Sequence, residues 1–185
     1  MSSKKSHCKE FLLSTLAHNA SAKQLIDSIE ALGCKIPEDF IVCRHCDSVA
    51  ISGGFSIPQK DEEYKPQIVI CEDKKLSKQQ IANTLVHELV HAYDFCKSNI
   101  DVSNCLQRAC TEIRASSLSD ECSLRSELMR GNVELKNGHS ACVQRRAQLS
   151  IQFDDACKDK AALYVAAAFK ECYADKSPFT NRDDL

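Results

Sequence analysis

Tryptophan is absent from this chain, and glycine and proline are scarce, with 5 and 4 among 185 residues. Such a composition, with 43% hydrophobic residues, excludes collagen-like and broadly disordered classes. A long apolar run is missing too. The longest, Ala161 to Phe169, is about half of the roughly 18 residues that suggest a membrane-spanning helix. Neither charge is in marked excess: 24 basic side chains stand against 26 acidic ones, a net charge of -2. No nucleic-acid partner is expected on that balance. In the opening segment, MSSKKSHCKEFLLSTLAHNA, the apolar stretch Phe11 to Leu13 is too short for a secretory h-region, and no arginine precedes Arg44. Neither standard export signal is expected there. The length suits one compact domain, and a single domain over 1–185 is expected.

What the chain has in abundance is cysteine. The count is even, twelve, and the residues run from Cys8 to Cys172. So many thiols in a reducing cytosol would be exposed to oxidation and stray metal, so the expectation is an oxidising compartment with disulfides, against mostly reduced thiols or metal sites. The intermembrane space of mitochondria is one such compartment. Cys43-Arg44-His45-Cys46 is a CxxC; with no second CxxC to complete a zinc knuckle, a structural disulfide role is favoured over metal or redox roles.

Residues 1–33 are expected as an N-terminal helical segment, because Leu12, Leu16, Leu25, Ile29 and Leu32 keep helical spacing and Gly33 ends the pattern. Residues 34–75 carry strand signals, IVCRHC, VAISGGFSI and Ile68-Val69-Ile70, which predict a small antiparallel sheet. Residues 76–176 read as mostly helical, with breaks near Ile100 to Asn104, Gly131 to Gly138 and Pro178, and 177–185 read as an extended tail. The fold class expected is α+β.

The chemistry sits in LSKQQIANTLVHELVHAYDFCK. Ser77 and Gln80 have the spacing of a capping box that opens a helix. On that helix Ile81, Leu85, Leu89, Ala92 and Cys96 fall on one side, and His87, His91 and Asp94 on another. His87-Glu88-Leu89-Val90-His91 is an HExxH sequence. Imidazoles one turn apart can bind one Zn²⁺, while Glu88, displaced around the axis, can serve a water as base without being a ligand. The reaction class this implies is peptide hydrolysis. A solvated histidine pair is the plainer alternative.

A catalytic zinc takes a third protein ligand. Glu112 is the favoured candidate, since its neighbours Ala109, Ala115 and Ser116 are small enough to let a second helix approach. Asp94 is the other, better suited to orienting an imidazole. For both, an ordinary surface ion pair remains open, and Arg108 stands four residues before Glu112. Gln67 to Cys71 reads as a short strand; by analogy with zinc peptidases of this general architecture it would be an edge strand that receives substrate, the plainer alternative being a core strand. His139, placed in a loop, and Tyr164 and Tyr173 are weaker candidates for an oxyanion donor. Arg145-Arg146 reads as a solvated helix face.

With these residues in view, VHELVHAYDFC, ACTEIRASSLSDEC and GHSACVQRRA, with CRHCDSVAISGGF, IVIC and FKECYADKSPF, resemble the mitochondrial inner-membrane metalloproteases that mature a membrane subunit of ATP synthase and help assemble that complex. Some members carry a Ku-binding description. The resemblance spans roughly Cys34 to Phe179. It implies a zincin-like fold, zinc held by His87 and His91, Glu88 as base, and peripheral association with the inner membrane on its intermembrane-space side. The partners it implies are an ATP synthase subunit precursor and other inner-membrane or intermembrane-space proteins. It also carries an alternative, a non-proteolytic assembly chaperone or interaction protein that uses the same groove, and a more remote one, a nuclear Ku-associated factor with reduced cysteines.

Overall fold

The computed structural model describes residues 7–47, 51–56, 65–98, 100–132 and 138–179. The chain divides into two compact units, Met1–Tyr93 and Asp94–Leu185, and the division falls inside one continuous helix. All twelve cysteines are disulfide-bonded.

The first unit opens with two helices, α1 (His7–His18) and α2 (Ala20–Ala31), where the sequence pattern suggested one. Asn19 is the reason for the break. Its backbone is extended, and its side chain accepts from the Ala22 N–H at 2.8 Å, capping the second helix. Helix α2 buries Ala22, Leu25 and Ile29 and ends as its glycine demands. Gly33 is left-handed at φ +85°, with Gly33 N–H donating to Glu30 and Cys34 N–H to Ile29, the two bonds of a Schellman motif.

Three strands follow, β1 (Ile41–Arg44), β2 (Gly53–Ser56) and β3 (Gln67–Cys71), in the order β1-β3-β2. The pairing of β2 with β3 is antiparallel and that of β1 with β3 parallel, so the sheet is mixed and the antiparallel expectation is corrected. The same order corrects the edge-strand reading of Gln67 to Cys71, which is the central strand. The sequence QIVIC contains the cause: Ile68, Ile70 and Cys71 are buried together with Gln67, and a strand apolar on both faces belongs in the middle. The CxxC cysteines do not meet each other. Cys43 is bonded to Cys8 and Cys46 to Cys71, which ties α1 to β1 and closes the end of β3, leaving neither a redox pair nor a metal half-site.

Helix α3 (Lys78–Ser98) starts at a complete capping box, Ser77 N–H to Gln80 Oε1 at 2.9 Å and Gln80 N–H to Ser77 Oγ at 3.3 Å. Ile81, Leu85, Leu89 and Ala92 are buried on it, and Val86, Val90 and Tyr93 widen the covered face.

In the second unit α4 (Cys105–Leu118), capped by Asn104, packs against α6 (Gly138–Gln152) and α7 (Ala161–Ala174), with the short α5 (Leu124–Met129) alongside. Their core is Ile113, Val143, Ile151 and Val165, several alanines and the disulfides Cys105–Cys157, Cys110–Cys172 and Cys122–Cys142. Two breaks escaped the sequence reading, one at Ser119 to Ser123, where a short 3-10 turn separates α4 from α5, and one after Gln152. There Asp154 Oδ1 accepts from the Ala156 and Cys157 N–H groups at 3.0 Å, and a short side chain that captures its own backbone ends the helix. His139 lies in the first turn of α6, not in a loop. The supposed tail is packed as far as it is described: Phe179 is buried and its N–H donates to Lys176 O at 2.8 Å. Residues 180–185 lie outside the described residues.

Arg145 and Arg146 are not a merely solvated face. They reach the buried carboxylates of Glu127 and Glu121 at 2.7 and 2.9 Å. Burial alone would raise the Glu127 pKa, but hydrogen bonds from Arg145 and Arg130 outweigh it and hold the group below its ordinary value.

Two stability predictions follow from this packing. A Cβ on Gly53 would lie 2.7 Å from both Val69 O and Thr84 Cγ2, whereas one on Gly54 meets nothing within 4 Å. Gly53→Ala is expected to cost about 1–3 kcal/mol in denaturant unfolding of the oxidised protein, and Gly54→Ala under about 0.5 kcal/mol. For Glu127, a depressed folded-state pKa gives stability that is present above the ordinary glutamate range and lost as pH falls through the folded value. Glu127→Gln is expected to lose about 1–3 kcal/mol near neutral pH. The gap from wild type should close in acid, read from denaturation curves at the two pH values.

Candidate active site

The capping box fixes where α3 begins, and the helix period then sets which residues share a side. His87 and His91, one turn apart, have ring centroids 4.8 Å apart with planes inclined at 73°. Glu88, between them in sequence, is 8% exposed. Helix α4 supplies the third group. His87, His91 and Glu112 each offer a ligand atom, and these atoms lie within 4.8 Å of one another. Among the described residues this is the set of histidine and carboxylate donors that can close on one ion. Two imidazoles and a carboxylate suit zinc and leave a fourth position for water, so the donor set fits the metal that the HExxH spacing implied.

Asp94, the other candidate from the sequence, is engaged elsewhere. Arg114 Nε donates to both of its carboxylate oxygens at 3.0 Å, and Thr111 Oγ1 donates to Oδ2 at 2.9 Å. Arg108 does not make the ion pair considered for Glu112; its partner is Asp154, at 2.7 Å. Arg114 and Thr111 escaped the sequence reading altogether. EIRA contains Arg114 in plain view, yet an arginine in a helix gives no local sign that it will be 3% exposed.

The weaker candidates fall within the second unit. His139 Nδ1 and the Tyr173 hydroxyl are hydrogen-bonded at 2.8 Å, Tyr173 stacks on Phe169, and Lys176 Nζ lies 4.4 Å from the centre of the tyrosine ring. Tyr164 is half-buried against the helical core.

The sequence profile described as the Peptidase M76 family matches residues 6–180. The chain belongs to the peptidase M76 family. Among similar relatives, the mitochondrial inner membrane protease ATP23 of Yarrowia lipolytica is 36% identical over 89% of this chain and 64% of its own length. The Schizosaccharomyces pombe protease atp23 is 34% identical over 96% of this chain and 94% of its own length. The human ATP23 homolog is 35% identical over 93% and 68%. No solved structure matches the chain. Among the described residues, no helix is long and apolar enough to cross a membrane.

The donor set generates a direct prediction. Oxidised, chelator-washed protein reloaded with zinc should hold about one zinc per chain by elemental analysis, as a single catalytic site requires. His87→Ala should hold none, and zinc retained at wild-type level in that variant would place the metal elsewhere.

Proposed function

We propose that the chain is a zinc-dependent endopeptidase of the zincin type, held peripherally on the intermembrane-space side of the mitochondrial inner membrane. Its proposed role is to mature the precursor of an ATP synthase membrane subunit and assist assembly of the complex. The observation that carries this reading is the meeting of His87, His91 and Glu112 in one ligand set in a chain of the M76 family. Support for the location comes from the names of the relatives and from the fully disulfide-bonded cysteines, which fit an oxidising compartment.

His87, His91 and Glu112 would hold the zinc, which when bound supplies Lewis acidity and lowers the pKa of the attacking water. Glu88 does the proton work. Its carboxylate takes the proton from the water and later delivers it to the departing amine, and its low exposure keeps bulk water from competing for that proton. An extended substrate would pair with an edge strand, which orients a peptide through its backbone. Since β3 is central, β2 is the edge that meets α3: a Cβ at Gly53 would touch Thr84, three residues before His87.

Glu88→Gln tests the mechanism. The amide keeps the shape of the side chain but cannot accept the proton, so zinc content should be unchanged while precursor cleavage falls by about 10²–10⁴-fold. Wild-type cleavage by the variant would sink the assignment. Full rescue of ATP synthase assembly by Glu88→Gln in cells lacking the protein would instead favour the assembly-chaperone reading.

A further inference from the structure

Arg114 is 3% exposed, and all three of its guanidinium nitrogens are used. Nε meets both oxygens of Asp94 at 3.0 Å, and Nη2 also lies 3.0 Å from Asp94 Oδ1. Nη1 donates to Asp175 O at 2.8 Å and pairs with Asp175 Oδ2 at 2.7 Å, while Nη2 donates to Ser177 O at 2.6 Å. One side chain on α4 therefore grips the last turns of α3 and the segment that follows α7. Thr111 adds a second grip from α4, through its hydroxyl on Asp94.

These contacts surround a ligand in sequence. Thr111 and Arg114 flank Glu112 on α4, and Asp94 follows His91 by one helical turn on α3. A buried ion pair of this kind is weak evidence for stability, because desolvation offsets most of the attraction, but it specifies geometry. The planar fork matters for that task, since a lysine ammonium can serve Asp94 or the two carbonyls but cannot span both.

We infer that Arg114 is a positioning residue for a metal ligand: by fixing Asp94 and the carbonyls of Asp175 and Ser177 against α4, it holds the turn of α4 that carries Glu112. The inference rests on the zinc reading of His87, His91 and Glu112. Such a role differs from a purely structural one in what it moves. A structural staple lowers stability, whereas a positioning residue also changes the metal's surroundings in protein that remains folded.

The test uses the full oxidised chain, reloaded with zinc for chelator competition and with cobalt(II) for visible absorption. The proteins compared are wild type, Arg114→Lys and Glu112→Gln. Arg114→Lys protein shown to be folded by circular dichroism should bind zinc about ten- to a hundredfold more weakly. Its cobalt spectrum should move toward that of Glu112→Gln. Zinc affinity and a cobalt spectrum that superpose on wild type would overturn the inference. If Arg114→Lys fails to fold, Thr111→Val, which removes the hydroxyl donor to Asp94, replaces it: a smaller loss of affinity supports the inference and no loss overturns it. Wild-type protein that takes up neither metal overturns the zinc reading and this inference with it. One metal lost in His87→Ala but indifferent to Arg114→Lys overturns the positioning role alone.

Discussion

The cross-links are the constraint on which the rest of this structure depends. In the second unit the large apolar groups at the centre are Ile113, Val143, Ile151 and Val165, and much of what surrounds them is alanine and cystine. That is little surface for four helices. Cys105–Cys157 and Cys110–Cys172 close loops of 52 and 62 residues, and in the chain-entropy account a loop of that size is worth about 4 kcal/mol. Both bonds radiate from one helix, α4, at positions 105 and 110, which fixes its first turns against α7 and the turn before it. The stability of the helix that carries Glu112 is thus tied to an oxidising environment, and a compartment that reduced these bonds would loosen α4 before any chemistry was in question.

A second constraint is electrostatic. Asp94, Glu121 and Glu127 are buried carboxylates, and each is met by arginine. Burying a carboxylate without a partner is costly enough that each pair must survive or fail together. These pairs therefore contribute less to net stability than to deciding which packing is allowed. A shift of α5 along α6 would strand Glu127 away from Arg145, and a shift of α4 would strand Asp94. The apolar contacts, being non-directional, tolerate such shifts far better.

That division explains which features could be read from the sequence. Local order was legible: the capping box at Ser77 and Gln80, the terminator at Gly33, the helical stripe of Ile81, Leu85 and Leu89, and the histidine pair are all set within a few residues. What depends on distant partners was not. The order β1-β3-β2 places β3 between strands from two separate segments, and strand propensity alone says nothing of parallel or antiparallel pairing. Asn19 and Asp154 are polar residues inside helical patterns, and only their backbone hydrogen bonds show that they interrupt them. Arg145 and Arg146 looked solvated because their acidic partners lie 18 and 25 residues away.

The proposed metal ligands straddle the same line. His87 and His91 are related by the helix period, so their common side follows from spacing and survives any rearrangement that leaves α3 intact. Glu112 has no such guarantee, because its place is set by α4, a separate element. Something directional has to hold that element. The disulfides at Cys105 and Cys110 and the Thr111 hydroxyl hold α4 before Glu112, and Arg114 holds it after, so Glu112 lies between restraints on both sides. A third ligand supplied by a separate helix would be placed only as accurately as that helix is held, and in this chain α4 is held by bonds that have direction.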